Sequence, residues 1–248
     1  MRGLYAVYKK ELRLYFGSAT AYVVILVFQA LSGIFFYTDL AQFSLYLGQD
    51  LNLGLWRLVY HDVRWVLFLV IPLLTMRLFA EEKKLGTLEL LWTYPVKDLN
   101  IILGKYLASL TILALLLVFT LIYPVLILPY HGIDPAPLSA IYLGLFLLGG
   151  AFLACGLFVS SLTDSQIIAG VVTYGLFFLF WMLTWNEAAF DPRLIEVLLR
   201  MSLFDRFDDF ARGVVDSKNV IYFMLFTIFF LFLTHCSLDS RRWRGLRA

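Results

Sequence analysis

The sequence predicts an all-α membrane protein with six transmembrane helices, supplemented by short amphipathic helices at its N-terminus, in one charged loop and before the last span. Three observations carry that expectation. The 248 residues are 61% hydrophobic and only 15% charged, with a mean hydropathy of +0.82, whereas about a quarter of a soluble domain is charged. Six apolar runs recur along the chain, and the charges collect in blocks between them. One membrane domain of 1–248 is the natural count, because spans of about 20 residues with short connections use the whole length.

The chain opens with an amphipathic stretch, 1–18. Leu4, Tyr8, Leu12 and Tyr15 form one stripe, and Arg2, Lys9, Lys10 and Arg13 supply a basic face. Such a helix suits a membrane interface as a plain anchor, or serves as an elbow that helps to build a docking surface. Its mixture of basic and polar residues, with no small-residue cleavage site after a short apolar core, argues against a cleaved signal peptide.

The apolar runs lie at Ala19–Tyr37, Val63–Ala80, Leu107–Leu128, Leu138–Leu162, Ile167–Trp185 and Val220–Cys236. Each is about long enough to cross a hydrocarbon core of about 30 Å as a helix. The second is the least regular, since it contains Pro72 and Arg77, and Arg77 would have to reach towards the headgroups. With six spans both termini share one side. That side carries 13 basic residues and the other 7, so the positive-inside rule makes the termini cytoplasmic.

The block RLFAEEKKLGTLELLWTYPV, Arg77–Val96, falls on the same side. Burying Glu81, Glu82, Lys83 and Lys84 at mid-membrane would cost roughly 10 kcal/mol together, so they belong outside the hydrocarbon. Leu85, Leu88, Leu91 and Trp92 recur at helical spacing, which predicts a short cytoplasmic helix over 81–95 that Pro95 ends. It can lie on the membrane, pack on the protein's own spans, or dock into another protein.

In the fourth run Gly150 and Ala154, flanked by Gly149 and Gly156, are spaced for close helix contact, within the subunit or between subunits. Gly33, Asp39 and Gln42 near the end of the first run receive no role. The segment 186–219 is too long for a turn and too apolar for a disordered loop. Asp191 and Pro192 predict a helix start before Leu194, Ile195, Leu198 and Leu199. Ser202 and Asp205 predict a second, capped helix bearing Phe204, Phe207, Phe210 and Val214. Those phenylalanines would be interfacial anchors or the lining of an exit route.

Several function classes lack their signatures. Cys155 and Cys236 fall in apolar runs and read as small core residues, and His61, His131 and His235 stand apart from other metal-type ligands. A net charge of +2 without a basic stripe gives no reason to expect nucleic acid. Gly104 and Lys105 are followed by Tyr106 and lack an upstream glycine, so no phosphate-binding loop is present. No buried cluster of acids and histidines suggests an ion-coupled carrier. No nucleophile elbow or HExxH supports hydrolysis, so no catalytic residue, metal ligand or cofactor is expected in this chain.

The stretch PLLTMRLFAEEKKLGTLELLWTYPVKDLNIILGKYL, Pro72–Leu107, resembles the segment between the second and third spans of ABC-2 type permeases. KKELRLYFGSATAYVV, Lys9–Val24, resembles their approach to the first span, and FDRFDDFARGVVDSKNVIYF, Phe204–Phe223, their approach to the last. The likeness is greatest to gliding-motility permeases of the GldF-like type. It implies a type V exporter-like subunit that pairs with a second permease and binds two copies of an ABC ATPase, which would hold ATP and Mg. Glu81, Glu82, Lys83, Gly86, Thr87 and Glu89 match the family's charged loop, implying a coupling helix seated on that ATPase. Lys9, Lys10, Arg13 and Tyr15 would belong to its elbow, and Phe204, Phe207, Phe210 and Gly213 to its external cap. Ala19 stands where a proline is expected, so the corner into the first span is less sharply fixed. The implied address is a bacterial inner membrane and the implied function an ATP-driven exporter. The alternative is an ABC-linked scaffold that moves a periplasmic partner without passing a substrate.

Overall fold

The computed structural model describes residues 2–45, 51–87, 97–129, 134–185 and 202–245. Among them there are only helices: α1 (Arg2–Gly17), α2 (Ala19–Leu45), α3 (Leu51–Thr75), α4 (Ala80–Lys84), α5 (Asp98–Thr120), α6 (Ile122–Ile127), α7 (Pro135–Leu162), α8 (Gln166–Trp185), α9 (Leu203–Ala211) and α10 (Ser217–Gly245). Five stretches are long and apolar enough to cross a membrane: Ala19–Ser44, Gly54–Lys84, Asp98–Ile127, Pro135–Leu162 and Ser217–Ser240; Gln166–Met182 is a shorter apolar helix. Five of the six expected spans thus have spanning length.

Helix α7 is the axis of the bundle. Its most apolar window is 78% buried, against 28% for α2 and 17% for α10, because α3, α5, α8, α9 and α10 all pack on it. Its glycines permit the approach. A Cβ on Gly149 would lie 2.7 Å from Leu113 on α5, and one on Gly156 would lie 2.2 Å from Thr75 at the end of α3. The expected close contacts are therefore made within the subunit. Cys155 is buried among them, whereas Cys236 lies on the exposed face of α10 and is not the core residue its apolar run suggested.

Two helix breaks have local causes. Pro124 has no N–H for the carbonyl of Thr120, and the ladder is interrupted at Leu121 between α5 and α6. The second span begins at Gly54 instead of at Val63, and its first helix ends at Thr75. Arg57, His61, Asp62 and Arg64 masked that start in the hydropathy pattern, and Arg77 falls in the turn after the helix.

Helix α1 lies against the first turns of α5. A Cβ on Gly104 would be 2.8 Å from Val7 Cγ1 and 3.2 Å from the Tyr8 nitrogen, so only glycine admits this approach without a shift. Tyr8 adds a hydroxyl contact of 3.0 Å to Thr111.

Candidate functional site

The densest polar assembly lies where α1, α4 and α5 meet. The turn Met76–Phe79 leaves backbone groups without helical partners, and Ser160 on α7 supplies them. Its hydroxyl accepts from Phe79 N at 3.0 Å and Ala80 N at 3.1 Å, and it donates to Met76 O at 3.2 Å. One side chain thereby fills its hydrogen-bonding capacity and fixes the start of α4 on the central helix. Lys83 reaches the Ser161 carbonyl and lies 4.0 Å from Asp164. Ser237 of α10 also donates to that carbonyl, at 3.3 Å.

On the opposite side of α4, Glu82 is held by two lysines. Lys10 Nζ of α1 donates to its Oε1 at 2.7 Å, and Lys105 Nζ of α5 is 2.9 Å from its Oε2. Lys105 also donates to Glu11 of α1 at 2.8 Å and lies 5.2 Å from the Phe79 ring centroid. The side chains of Lys105, Glu11 and Glu82 are only 1%, 6% and 11% exposed, while that of Lys10 is 45% exposed. Two acids and two bases balance within the cluster, which is what allows such charges to be enclosed. Removing one partner of a buried pair typically costs about 3–5 kcal/mol.

Tyr15 closes the adjoining side. It is buried, donates its hydroxyl to Leu74 O at 3.2 Å, and carries the Arg77 guanidinium over its ring at 4.8 Å. Arg77 donates to Ser18 at 3.0 Å. Burial pushes the Tyr15 phenol well above its ordinary pKa, although Arg77 opposes the shift, so the group remains a donor. Lys10, Tyr15, Arg77, Glu81, Glu82 and Lys105 line a cleft of about 320 Å³.

The predicted site residues therefore divide. Glu82 and Lys83 turn into the protein, whereas Glu81 is half-buried and Lys84, Leu85 and Gly86 are exposed. Thr87 donates to Glu82 O at 3.2 Å. Lys9 and Arg13 are exposed on α1, and Lys10 and Tyr15 face α4 and α3. Glu89 lies outside the described residues, as do Leu88–Val96. The helix expected over 81–95 forms in its first turn and is interrupted at Leu85 and Gly86. The described helix ends at Lys84, and Gly86 takes a left-handed φ of +67°. The leucine spacing crosses a glycine that ends the helix.

The remaining predicted residues lie at the opposite end of the bundle. Ser202 caps α9 as expected, accepting from Asp205 N at 3.2 Å. Phe204, Phe207 and Phe210 are not exposed interfacial anchors, because all three are buried within the chain. Phe210 and Phe207 fill the space that a Cβ on Gly144 would occupy, and Phe204 packs on Phe152 with centroids 5.9 Å apart. Gly213 has φ +80° and abuts Pro137. The proposed helix start at Asp191 and Pro192 lies outside the described residues.

Sequence reasoning missed Glu11, Lys105, Ser160 and Ser161. A signal existed for Lys105: a lysine two turns into a 23-residue apolar helix needs a partner. Glu11, the lone acid of α1, supplies one.

The sequence model of a family described as "ABC-2 family transporter protein" matches residues 5–191. No curated protein matches the chain. The matched range contains α1 from Tyr5 onwards, the turn capped by Ser160, α4 and the first turns of α5, so the polar assembly lies within the shared part.

Proposed function

Because the chain belongs to the ABC-2 transporter family, we propose that α4 couples a separate ABC ATPase to the membrane spans of this permease subunit. The observation that carries the reading is the grip on α4. Glu82 ties it to α1 and α5, and Ser160 ties its first turn to α7. A displacement imposed on α4 would therefore be passed to a surface helix and two long apolar helices at once. Useful work requires that the ATPase bind α4 differently in its nucleotide states.

In this reading both termini and α4 face the cytoplasm, six helices cross the bacterial inner membrane, and the assembly contains two permeases and two ATPases. The direction is export, and the kinship with gliding-motility permeases belongs to the same reading. Glu81, Lys84 and Leu85 offer the docking surface, while Glu82 and Lys83 transmit through the interior. No catalytic residue is assigned to this chain, since ATP hydrolysis would occur in the partner.

The test is co-purification of the ATPase with the full chain in mild detergent. Glu81→Ala with Lys84→Ala should lower the bound ATPase while leaving the permease as thermally stable as before. Unchanged binding would overturn the docking assignment.

A further inference from the structure

At the end of the bundle remote from α1, a buried arginine seats α9. Arg64 on α3 is 6% exposed in its side chain. Its Nη1 donates to Phe204 O at 3.2 Å and to Asp208 Oδ1 at 3.3 Å, both on α9. Its guanidinium carbon lies 5.2 Å and 5.5 Å from the Phe204 and Phe207 ring centroids and 5.7 Å from that of Trp65. The other arm, Nη2, is 2.5 Å from His61 Nε2. A guanidinium has only donors, so His61 Nε2 must present a lone pair. The remaining ring nitrogen, Nδ1, then carries the proton and faces Asp62 Oδ1 at 3.4 Å. Both contacts agree with one neutral tautomer of His61.

We infer that Arg64 positions α9 on the bundle and that His61, as the acceptor for one Arg64 arm, makes this seat sensitive to protons. Protonation places an N–H where the lone pair was and sets two cations against each other. The imidazole is 45% exposed in its side chain, so it is not enclosed by the chain. Among the described residues the other charges acting on the pair are acidic. Asp62 lies on α3, Asp205 and Asp208 act on Arg64 from α9, and Asp39 of α2 interacts with Asp62. On its other flank α9 is held by Arg206, which donates to Asn219 Oδ1 at 3.0 Å, and by Asn219, which donates to Asp209 at 2.7 Å. Among the described residues no histidine takes part there. The seat is closed while His61 is neutral and loosens at the Arg64 flank once acid protonates the imidazole. The inference does not depend on ATPase coupling.

The experiment is hydrogen exchange of the α9 amides in the full chain in lipid nanodiscs at pH 8 and pH 5.5, corrected for the intrinsic rate at each pH. Wild-type α9 should exchange about tenfold faster at pH 5.5, and so should His235→Gln. His61→Gln keeps an acceptor for Arg64 but cannot be protonated, so its α9 should show no such increase. A wild-type α9 indifferent to pH, or an equal acid effect in His61→Gln, overturns the proposal. If His61→Gln does not fold, Asp208→Asn decides the positioning role. Its α9 should exchange about tenfold faster than wild type already at pH 8, and wild-type protection would refute Arg64 as the seat.

Discussion

The Lys105 ammonium lies 2.8 Å from the Glu11 carboxylate, joining the apolar helix α5 to the surface helix α1 through side chains that are 1% and 6% exposed. Glu82 completes the link to α4. The cluster gives α4 the same rigid attachment to two neighbours that a coupling element requires, and it separates what stabilises the protein from what transmits motion.

Lys105→Ala strands the buried Glu11 carboxylate and leaves Glu82 with Lys10 alone, and should destabilise the chain by about 3–5 kcal/mol. The combined replacement Glu11→Met, Glu82→Met and Lys105→Met removes the charges together and should recover most of that loss in thermal unfolding. It should nonetheless impair nucleotide-driven coupling, because the directional ties to Lys10 and between the three helices are gone. Full coupling in the triple variant would show that packing alone transmits the motion.

Ser160→Ala removes the acceptor for Phe79 N and Ala80 N. Leaving buried donors unsatisfied costs about 1–3 kcal/mol. Hydrogen exchange should accelerate at residues 76–80 before it does elsewhere in α7. Uniform acceleration along α7 would instead indicate a general loss of packing.

The two left-handed glycines should respond differently to alanine. Gly86 has φ +67° with open space around its Cβ position, whereas Gly213 has φ +80° and a Cβ there would lie 2.8 Å from Pro137 Cβ. Backbone strain of about 1–3 kcal/mol applies to both, and the clash adds to it only at Gly213. Thermal unfolding should therefore rank Gly213→Ala below Gly86→Ala, and the reverse order would refute the packing of the α9 turn on α7.

Tyr15 supplies a pH dependence with a definite sign. Its folded pKa is raised above the ordinary phenol value by burial, so folding favours the neutral phenol. That contribution is complete below the unfolded pKa and is lost as pH rises from about 10 through the folded value. Tyr15→Phe should flatten the alkaline fall in stability relative to wild type while losing the hydrogen bond to Leu74 O at all pH values. Identical alkaline slopes would contradict the burial of the hydroxyl.

Long apolar runs made the spanning helices legible, and the Ser202 cap could be read from its distance to Asp205. The α4 hub could not. Lys105 and Glu11 are 94 positions apart, and no local periodicity announces such a pair. Periodicity of the charged block leaves membrane contact, packing on the spans and docking open, because topology alone explains its charges; packing turns Glu82 and Lys83 inward. Leucine spacing extended the helix across Gly86, whose backbone freedom leaves no mark on hydrophobic periodicity. The phenylalanines of α9 were read as exposed because the sequence does not reveal that Gly144 leaves room for them inside the bundle.

The most direct measurement is hydrogen exchange on the full permease purified with its ATPase, compared between nucleotide-free and ATP-trapped states. Coupling through α4 predicts that an ATPase co-purifies and that α1, residues 76–87 and the first turns of α5 change protection together. Absence of an ATPase under conditions that preserve comparable complexes, or a change confined to α4 with α1 and α5 unaffected, would contradict the account.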